Sequence, residues 1–117
     1  METVSMEKSF ITIDGQEYRV EVNWNALSNY LKAVGRDTLE GLSDISSMRP
    51  SDIAPLMAAA INEGERLEGR ESHLTGESLG EVIRPSHVGK FMGIYIQQSR
   101  AQVEAEEPAK KKESQGE

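Results

Sequence analysis

The chain contains no cysteine, and aromatic residues make up only 5% of its 117 residues. Without cysteine it can form neither a disulfide nor a thiolate metal site. No apolar run approaches the roughly 18 residues that a membrane-spanning helix needs, and the N-terminal residues lack the basic-then-apolar pattern of a signal peptide. The sequence therefore predicts a soluble cytoplasmic protein that does not enter a membrane.

Positive charge is also scarce, since 13 lysines and arginines stand against 20 acidic residues and the net charge is −7. Nucleic-acid binding needs a concentrated basic face, so no nucleic-acid partner is expected. Hydrophobic residues make up 37% of the chain, slightly less than in an average globular protein. A chain of this length forms one domain with a thin core, to which a partner or a homo-oligomer could add contacts.

The sequence has few residues that carry catalytic or metal-binding chemistry. Its two histidines, His73 and His87, have no metal-ligating residue at helical spacing. No nucleophile elbow, phosphate-binding loop or dinucleotide pattern occurs. The glutamates between positions 63 and 71 are expected to form a solvated helix face rather than a general-acid pair. We therefore predict no enzyme, with no catalytic residue, no cofactor and no metal.

Residues 9–22 predict a tight β-hairpin. Asp14-Gly15 is a favoured two-residue turn, because both central positions of that turn need a positive φ. The predicted pairs are Ile13 with Gln16, Ile11 with Tyr18 and Ser9 with Val20. One face then carries the apolar side chains of Ile11, Ile13, Tyr18, Val20 and Val22. A lone hairpin is marginally stable in water, so we expect a helix to cover this face.

The next residues predict the start and the end of a helix over 24–34. Asn23 is a suitable N-cap, with Val22 and Leu27 at the spacing of a hydrophobic staple. Gly35 fits the left-handed stop at the C-terminus. An apolar stripe at helical spacing is expected in the core; it comprises Trp24, Leu27, Leu31 and Val34.

The complete prediction is an α+β fold, in which an N-terminal two-stranded β-hairpin is followed by four to five helices. The further helices are expected at about 38–47, 52–68, 76–83 and 87–103, within a single domain over 9–103. Leu39, Leu42 and Ile45 are expected to point inward, Gly64 and Gly69 are candidate helix ends, and Ser86 is the expected cap of the last helix. Residues 1–8 are predicted to be a flexible N-terminus. Residues 104–117 have many charges and no large apolar side chain, which predicts a disordered tail.

Four residues are predicted to contact a partner. Gly89 and Gly93 stand four apart in the last helix, where each glycine costs about 1 kcal/mol relative to alanine. We expect them to permit close backbone approach, either to the hairpin or to a second chain. Ile94 lies off the apolar stripe of that helix and Phe10 lies on the polar face of the hairpin, so the fold is not expected to bury either one. Single exposed apolar residues are also common without any such role.

The order of segments resembles the tail assembly chaperones of tailed bacteriophages, over about residues 10–101. The similar segments are FITIDGQEYRVEVNWNAL, VGRDTLEGLSDI, PSDIAPLMAAAINEG and LTGESLGEVI, followed by an amphipathic helix. The family's hairpin pattern is matched by Ile13, Gly15 and Tyr18, and its entry to the first helix by Asn23, Asn25 and Leu27. A later pattern is matched by Leu74, Thr75, Gly80 and Ile83.

This resemblance implies a partner-binding protein of a phage or prophage. Such chaperones bind the long helical tape measure protein and bring tail tube subunits to it during tail assembly. They act in the cytoplasm of the bacterial host and are not expected in the mature virion. Many members also have a longer form made by ribosomal frameshifting, and Lys110 to Lys112 lie where a slippery site could be encoded. The family supplies no catalytic residues.

Two other classes of protein remain open. The chain could be a small acidic cytoplasmic adaptor or inhibitor that is not of viral origin. An inhibitor that mimics nucleic acid should gather its carboxylates on one face, however, whereas this chain interleaves arginine and lysine among them. A helix-turn-helix DNA binder built around His73 is disfavoured by the same acidity.

Overall fold

A computed structural model of the chain describes residues 8–39, 42 and 45–99, and it begins with the predicted hairpin. Strand β1 (Ser9–Ile13) pairs antiparallel with β2 (Gln16–Val20). The pairs run from Ser9 with Val20 to Ile13 with Gln16, as predicted. Asp14 and Gly15 have φ values of 55° and 82°, which the two-residue turn requires. The apolar hairpin face lies in the core, since Ile11, Ile13, Val20 and Val22 are buried.

Helix α1 (Trp24–Val34) has both predicted ends. The Asn23 side chain accepts a hydrogen bond of 2.9 Å from the Ala26 N–H, and Gly35 adopts the left-handed conformation with φ 71°. The face of α1 was predicted incorrectly at its first residue, however. Trp24 is 65% exposed, whereas Ala26 and Tyr30 are buried. Leu27, Leu31 and Val34 pack against the edge of the core.

Between α1 and the next long helix, the predicted helix over 38–47 is wrong where it can be compared. The described residues 38, 39 and 42 are not helical, and Ile45–Ser47 form a short 3-10 turn. Leu39 is 50% exposed, although Leu42 and Ile45 are buried as expected. A short segment forms too few helical hydrogen bonds to offset the conformational entropy that is lost when the first turn is ordered. Its conformation is therefore set by its contacts with the core.

Helix α2 (Pro50–Leu67) is the centre of the fold, with Pro50 at its first position, where a proline N–H is not needed. An apolar stripe of the helix is buried; it comprises Ile53, Leu56, Met57, Ala60 and Ile61. Leu67 is 43% exposed. Gly64 lies inside the helix and does not end it. Gly69 lies just beyond the helix and has the left-handed φ of 82°. The helix contacts α1, β2 and α3.

Two shorter segments complete the described fold. Helix α3 (Gly76–Gly80) is capped by Thr75 and is shorter than the predicted 76–83. Helix α4 occupies the described residues 85–99 and begins at Pro85, so Ser86 is not its cap. The imidazole Nδ1 of His87 instead accepts the Arg84 N–H at 2.8 Å. Phe91 and Tyr95 of α4 enter the core, where the Tyr95 hydroxyl donates to the Leu42 carbonyl at 2.7 Å.

The hairpin followed by helices confirms the α+β class. Residues 1–7 and 100–117, which include most of the predicted flexible N-terminus and the whole predicted tail, lie outside the described residues. In the part of the chain that is described, every helix is too short or too polar to cross a lipid bilayer.

Candidate functional site

A groove of about 520 Å³ runs between α1 and the segment that leads into α3, with α2 as its floor. Asn29 and Ala33 of α1 form one bank, and Leu74 to Glu77 form the other. The floor is made of small or compact side chains of α2; they include Ala54, Pro55, Ala58, Ala59 and Asn62. The groove is open to solvent on the face of the molecule opposite the Ile53–Leu56–Ile61 stripe.

The alanines of α2 create this space. Ala58 and Ala59 are buried at 3% and 7% exposure, yet their side chains end at Cβ and leave a gap between the two banks. The α3 bank is held close to α2 at its own end, because a Cβ at Gly76 would lie 2.7 Å from the Pro55 Cγ atom. The gap is therefore set by short side chains on the floor and by one close contact at the end of the groove.

Asn62 fixes the second bank. Its Nδ2 donates to the Leu74 carbonyl at 2.9 Å, and its Oδ1 accepts the Leu74 N–H at 2.9 Å. The same Oδ1 accepts the Ser72 hydroxyl at 2.6 Å. Thr75 and Ser78 then form a reciprocal capping box at the start of α3. One asparagine side chain thus binds an extended segment along α2, much as a strand would be bound.

The groove continues into a second part of about 370 Å³, called the polar end here because charged side chains stand on its walls. The two parts share Asn29, Ala59 and Asn62 on their walls. The polar end is lined by charged and polar side chains; these are Glu63, Arg66, Arg70, Glu71, Ser72 and His73. The α3 end of the groove therefore mixes alanines with Ser51, Thr75 and Glu77, whereas the polar end carries ion-paired side chains. An open groove of this kind can receive the side chains of a partner segment.

Two glutamates of α2 are buried, one at the polar end of the groove and one facing the hairpin, which corrects the expectation of a solvated face. Glu63 is 3% exposed and Glu65 is 4% exposed. The Arg66 guanidinium donates to Glu63 at 3.0 and 2.8 Å, and this pairing, opposed by burial and aided by Asn23 and Asn25, lowers the pKa of Glu63 to about 2. A carboxylate held ionised in this way is an acceptor in a structural network and a poor proton donor near neutral pH.

Glu65 has an equivalent network on the side of α2 that faces the hairpin. Arg70 donates to it at 2.6 and 3.0 Å, and the backbone N–H of Arg19 in β2 donates at 2.8 Å. The paired Arg70 lowers the pKa of Glu65 against the effect of burial, and the Arg19 N–H adds to the lowering. The Arg19 guanidinium continues the network to Glu21 and Glu68. These carboxylates join α2 to the hairpin.

The four predicted partner-binding residues do not line this groove. Phe10 is 38% exposed on β1, and Gly89 and Gly93 are exposed on α4. A Cβ at either glycine would meet no described atom within 4 Å, so the close approach predicted for them does not occur within residues 8–39, 42 and 45–99. Their part in contacts with another chain remains a prediction.

Ile94 was predicted incorrectly. It is 6% exposed and belongs to the core with Phe91 and Tyr95, so it offers no surface to a partner. The buried face of α4 is wider than the stripe of spacing three and four that left Ile94 outside, because the helix reaches Leu42 through Tyr95 and the hairpin through Gln98. Among residues 8–39, 42 and 45–99, no cluster of three histidine, cysteine or acidic side chains is arranged to hold a metal ion.

Comparisons of the chain with models of known protein families, with curated proteins and with solved structures find no match.

Proposed function

We propose that the chain is a tail assembly chaperone of a phage or prophage, and that it binds a helical segment of the tape measure protein in the groove between α1 and α3. In this role it would also bring tail tube subunits to the bound segment. It would act in the host cytoplasm and would not be part of the mature virion. The supporting sequence observation is the order of segments that resembles this family.

The structural observation that carries the proposal is the alanine floor of the groove. An α-helix is about 10 Å wide and presents apolar side chains three and four residues apart. A groove with a helical bank, a fixed second bank and a floor of Ala54, Ala58 and Ala59 can receive such side chains one after another. Recognition of this kind needs no catalytic group and no cofactor.

The two ends of the groove also specify the chemistry of the bound helix. The end near Ala54 and Pro55 accepts apolar side chains. At the other end, Arg70 and Glu71 line the wall together with the Arg66–Glu63 ion pair, so the partner should be polar there. The expected client segment is thus an amphipathic helix with a mixed-charge terminus, which is a common pattern in long helical proteins.

The alternative function, an acidic inhibitor that mimics nucleic acid, is less well supported by the described residues. Glu63, Glu65 and Glu68 are each paired with an arginine of the same chain. Carboxylates used in this way do not present a row of free negative charge that would imitate nucleic acid.

Co-expression with overlapping segments of the tape measure protein from the same genome tests the proposal. One segment should co-purify as a soluble complex. Ala33→Arg, which places a long cation on the α1 bank, should weaken that complex by about tenfold or more, since one blocked contact of 1.4 kcal/mol has this effect. Thr38→Arg adds the same charge at an exposed residue outside the groove and should leave the affinity unchanged.

Gly93→Arg provides the competing test on α4. If it abolishes the complex while Ala33→Arg has no effect, the client binds the α4 surface and the groove assignment is wrong. If none of the tape measure segments forms a complex with the unaltered chain, the chaperone assignment itself is wrong. Isothermal titration calorimetry on purified components gives the affinities.

A further inference from the structure

The two outer edges of the hairpin differ in their contacts with the rest of the described fold. The outer edge of β2 is closed by α2, because the Arg19 N–H donates to Glu65 at 2.8 Å and the Glu21 N–H donates to the Ala60 carbonyl at 3.0 Å. Gly64 brings the α2 backbone directly against the Arg19 carbonyl. An edge occupied in this way cannot pair with another strand.

The outer edge of β1 has no such cover among the described residues. Arg19 directs its N–H to α2, so its partner Phe10 directs its own backbone groups away from β2, and Thr12 does the same two residues later. Neither residue makes a hydrogen bond to the described part of the chain along this edge. Both residues are exposed.

The sequence of β1 also lacks the devices that usually protect a free edge. Proteins discourage edge pairing with proline, with a charged residue inside the strand, or with a bulge. The strand SFITI contains no proline and no charge, and its register with β2 is regular from Ser9 to Ile13. Phe10 adds an exposed aromatic side chain to the same strip. This edge is therefore able to accept a strand.

The charges that flank β1 identify the strand it suits. Lys8 precedes the strand and Asp14 follows it, at equal distances from Ile11. In an antiparallel pair of two β1 strands centred on Ile11, Phe10 lies opposite Thr12 of the other copy. The Lys8 side chain then comes near the carboxylate of Asp14 in the turn of the other copy, at both ends of the pair. Shifting the pairing by two residues in either direction separates these charges and leaves part of the strand unpaired.

We infer that two copies of this chain associate through β1, in antiparallel register about Ile11, to form a continuous four-stranded sheet. The outward N–H and C=O groups of Phe10 and Thr12 form the new ladder, and the two Lys8–Asp14 pairs fix its register. A C2 pair of this kind is self-complementary, since each copy supplies the same residues. The groove between α1 and α3 is not part of this interface, so the inference does not depend on the proposed function.

Sedimentation velocity over a concentration series, together with amide hydrogen exchange, tests the inference. A concentration-dependent dimer should form, and the Phe10 and Thr12 amides should become protected as it forms. Lys8→Glu puts two acidic residues opposite each other at both ends, and Asp14→Lys puts two lysines there. Each variant alone should weaken the dimer by about tenfold or more, and an equimolar mixture should restore it, because the mixed pair has opposite charges at both ends.

Two controls separate this surface from other effects. Lys8 also pairs with Glu68 at 2.9 Å, so Glu68→Gln removes that ion pair without changing the edge and should leave the dimer intact. Ala33→Arg in the groove should leave it intact as well. The inference is overturned if the chain stays monomeric throughout the concentration series. It is also overturned if mixing does not rescue the two variants, or if the Phe10 and Thr12 amides are protected only when a client segment is added.

Discussion

The close contact between α2 and β2 predicts that Gly64→Ala destabilises the protein although alanine is the better helix former. Gly64 lies inside α2, and a Cβ added there would overlap the Arg19 carbonyl and lie 3.0 Å from the Val20 nitrogen. Both neighbours are backbone atoms of β2, so no side-chain rotation can relieve the overlap. The helix and the strand must move apart.

The expected size follows from the contacts that this movement weakens. Overpacking of this kind costs about 1–3 kcal/mol. Separation also strains two hydrogen bonds between the helix and the hairpin. The bond from the Glu21 N–H to the Ala60 carbonyl is worth about 1 kcal/mol, and the bond from the Arg19 N–H to the Glu65 carboxylate is worth about 1.5–3 kcal/mol. The higher helix propensity of alanine offsets about 1 kcal/mol of this loss. We expect a net loss of about 2–4 kcal/mol.

Urea denaturation followed by far-UV circular dichroism measures this loss. Gly93→Ala is the matched control, because Gly93 is also helical but a Cβ there meets no described atom within 4 Å. It should stabilise the protein by about 0.5–1 kcal/mol through helix propensity alone. If Gly64→Ala is as stable as the unaltered chain, or more stable, the close approach of α2 to β2 is not a constraint on this fold and the reasoning fails.

Three further predictions concern single side chains. Glu63 has a folded pKa of about 2, below the ordinary value of 4.5. This difference corresponds to about 3 kcal/mol of stability, which is present above about pH 4.5 and is lost as pH falls toward 2. Glu63→Gln should therefore flatten the rise of the urea midpoint between those pH values. Asn62→Ala should cost about 1–3 kcal/mol by leaving backbone groups unpaired, with faster amide exchange in the α3 bank, while Asn29→Ala on the opposite bank should cost under about 0.5 kcal/mol. Gln98→Ala should lower the free energy of unfolding by about 1–2 kcal/mol, because it removes hydrogen bonds of 2.7 and 3.0 Å to the hairpin backbone. The same change at the exposed Gln97 should have no such effect, and equal thermal unfolding midpoints for the two variants would contradict this prediction.

Local features of the fold could be predicted from the sequence because their causes are local. The two-residue turn at Asp14-Gly15 fixes the register of the hairpin, and the alternation of apolar residues selects its buried face. Asn23 and Gly35 set the ends of α1 through hydrogen bonds that span at most a few residues. Each of these interactions can be derived without knowing where any distant residue lies.

Features that depend on distant residues were not predictable in this way. Trp24 sits on a periodic stripe, but α1 meets α2 through Ala26 and Tyr30, so the tryptophan faces solvent. The sequence suggests that a glycine in a helix permits close approach of another backbone. It does not show that this glycine is Gly64, which lies against β2, rather than Gly93, where an added Cβ would meet no described atom within 4 Å. Glu65 is buried where α2 meets β2 and accepts the N–H of Arg19, which is 46 residues away in the sequence, so its neighbours in the sequence do not reveal its burial. The groove likewise appears only when α1 and α3 are placed on the same alanines.

The side chain of Gln98 has a consequence for how the protein folds as it is synthesised. Its amide accepts the Val22 N–H and donates to the Val20 carbonyl, across 76 and 78 residues. The hairpin is made first but is completed by a residue of α4 that is made much later, and loop closure over such separations slows folding. Until α4 emerges, the Val22 N–H and the Val20 carbonyl lack the Gln98 side chain that pairs them in the folded protein. We therefore expect the hairpin to reach its full hydrogen bonding only once α4 has been made.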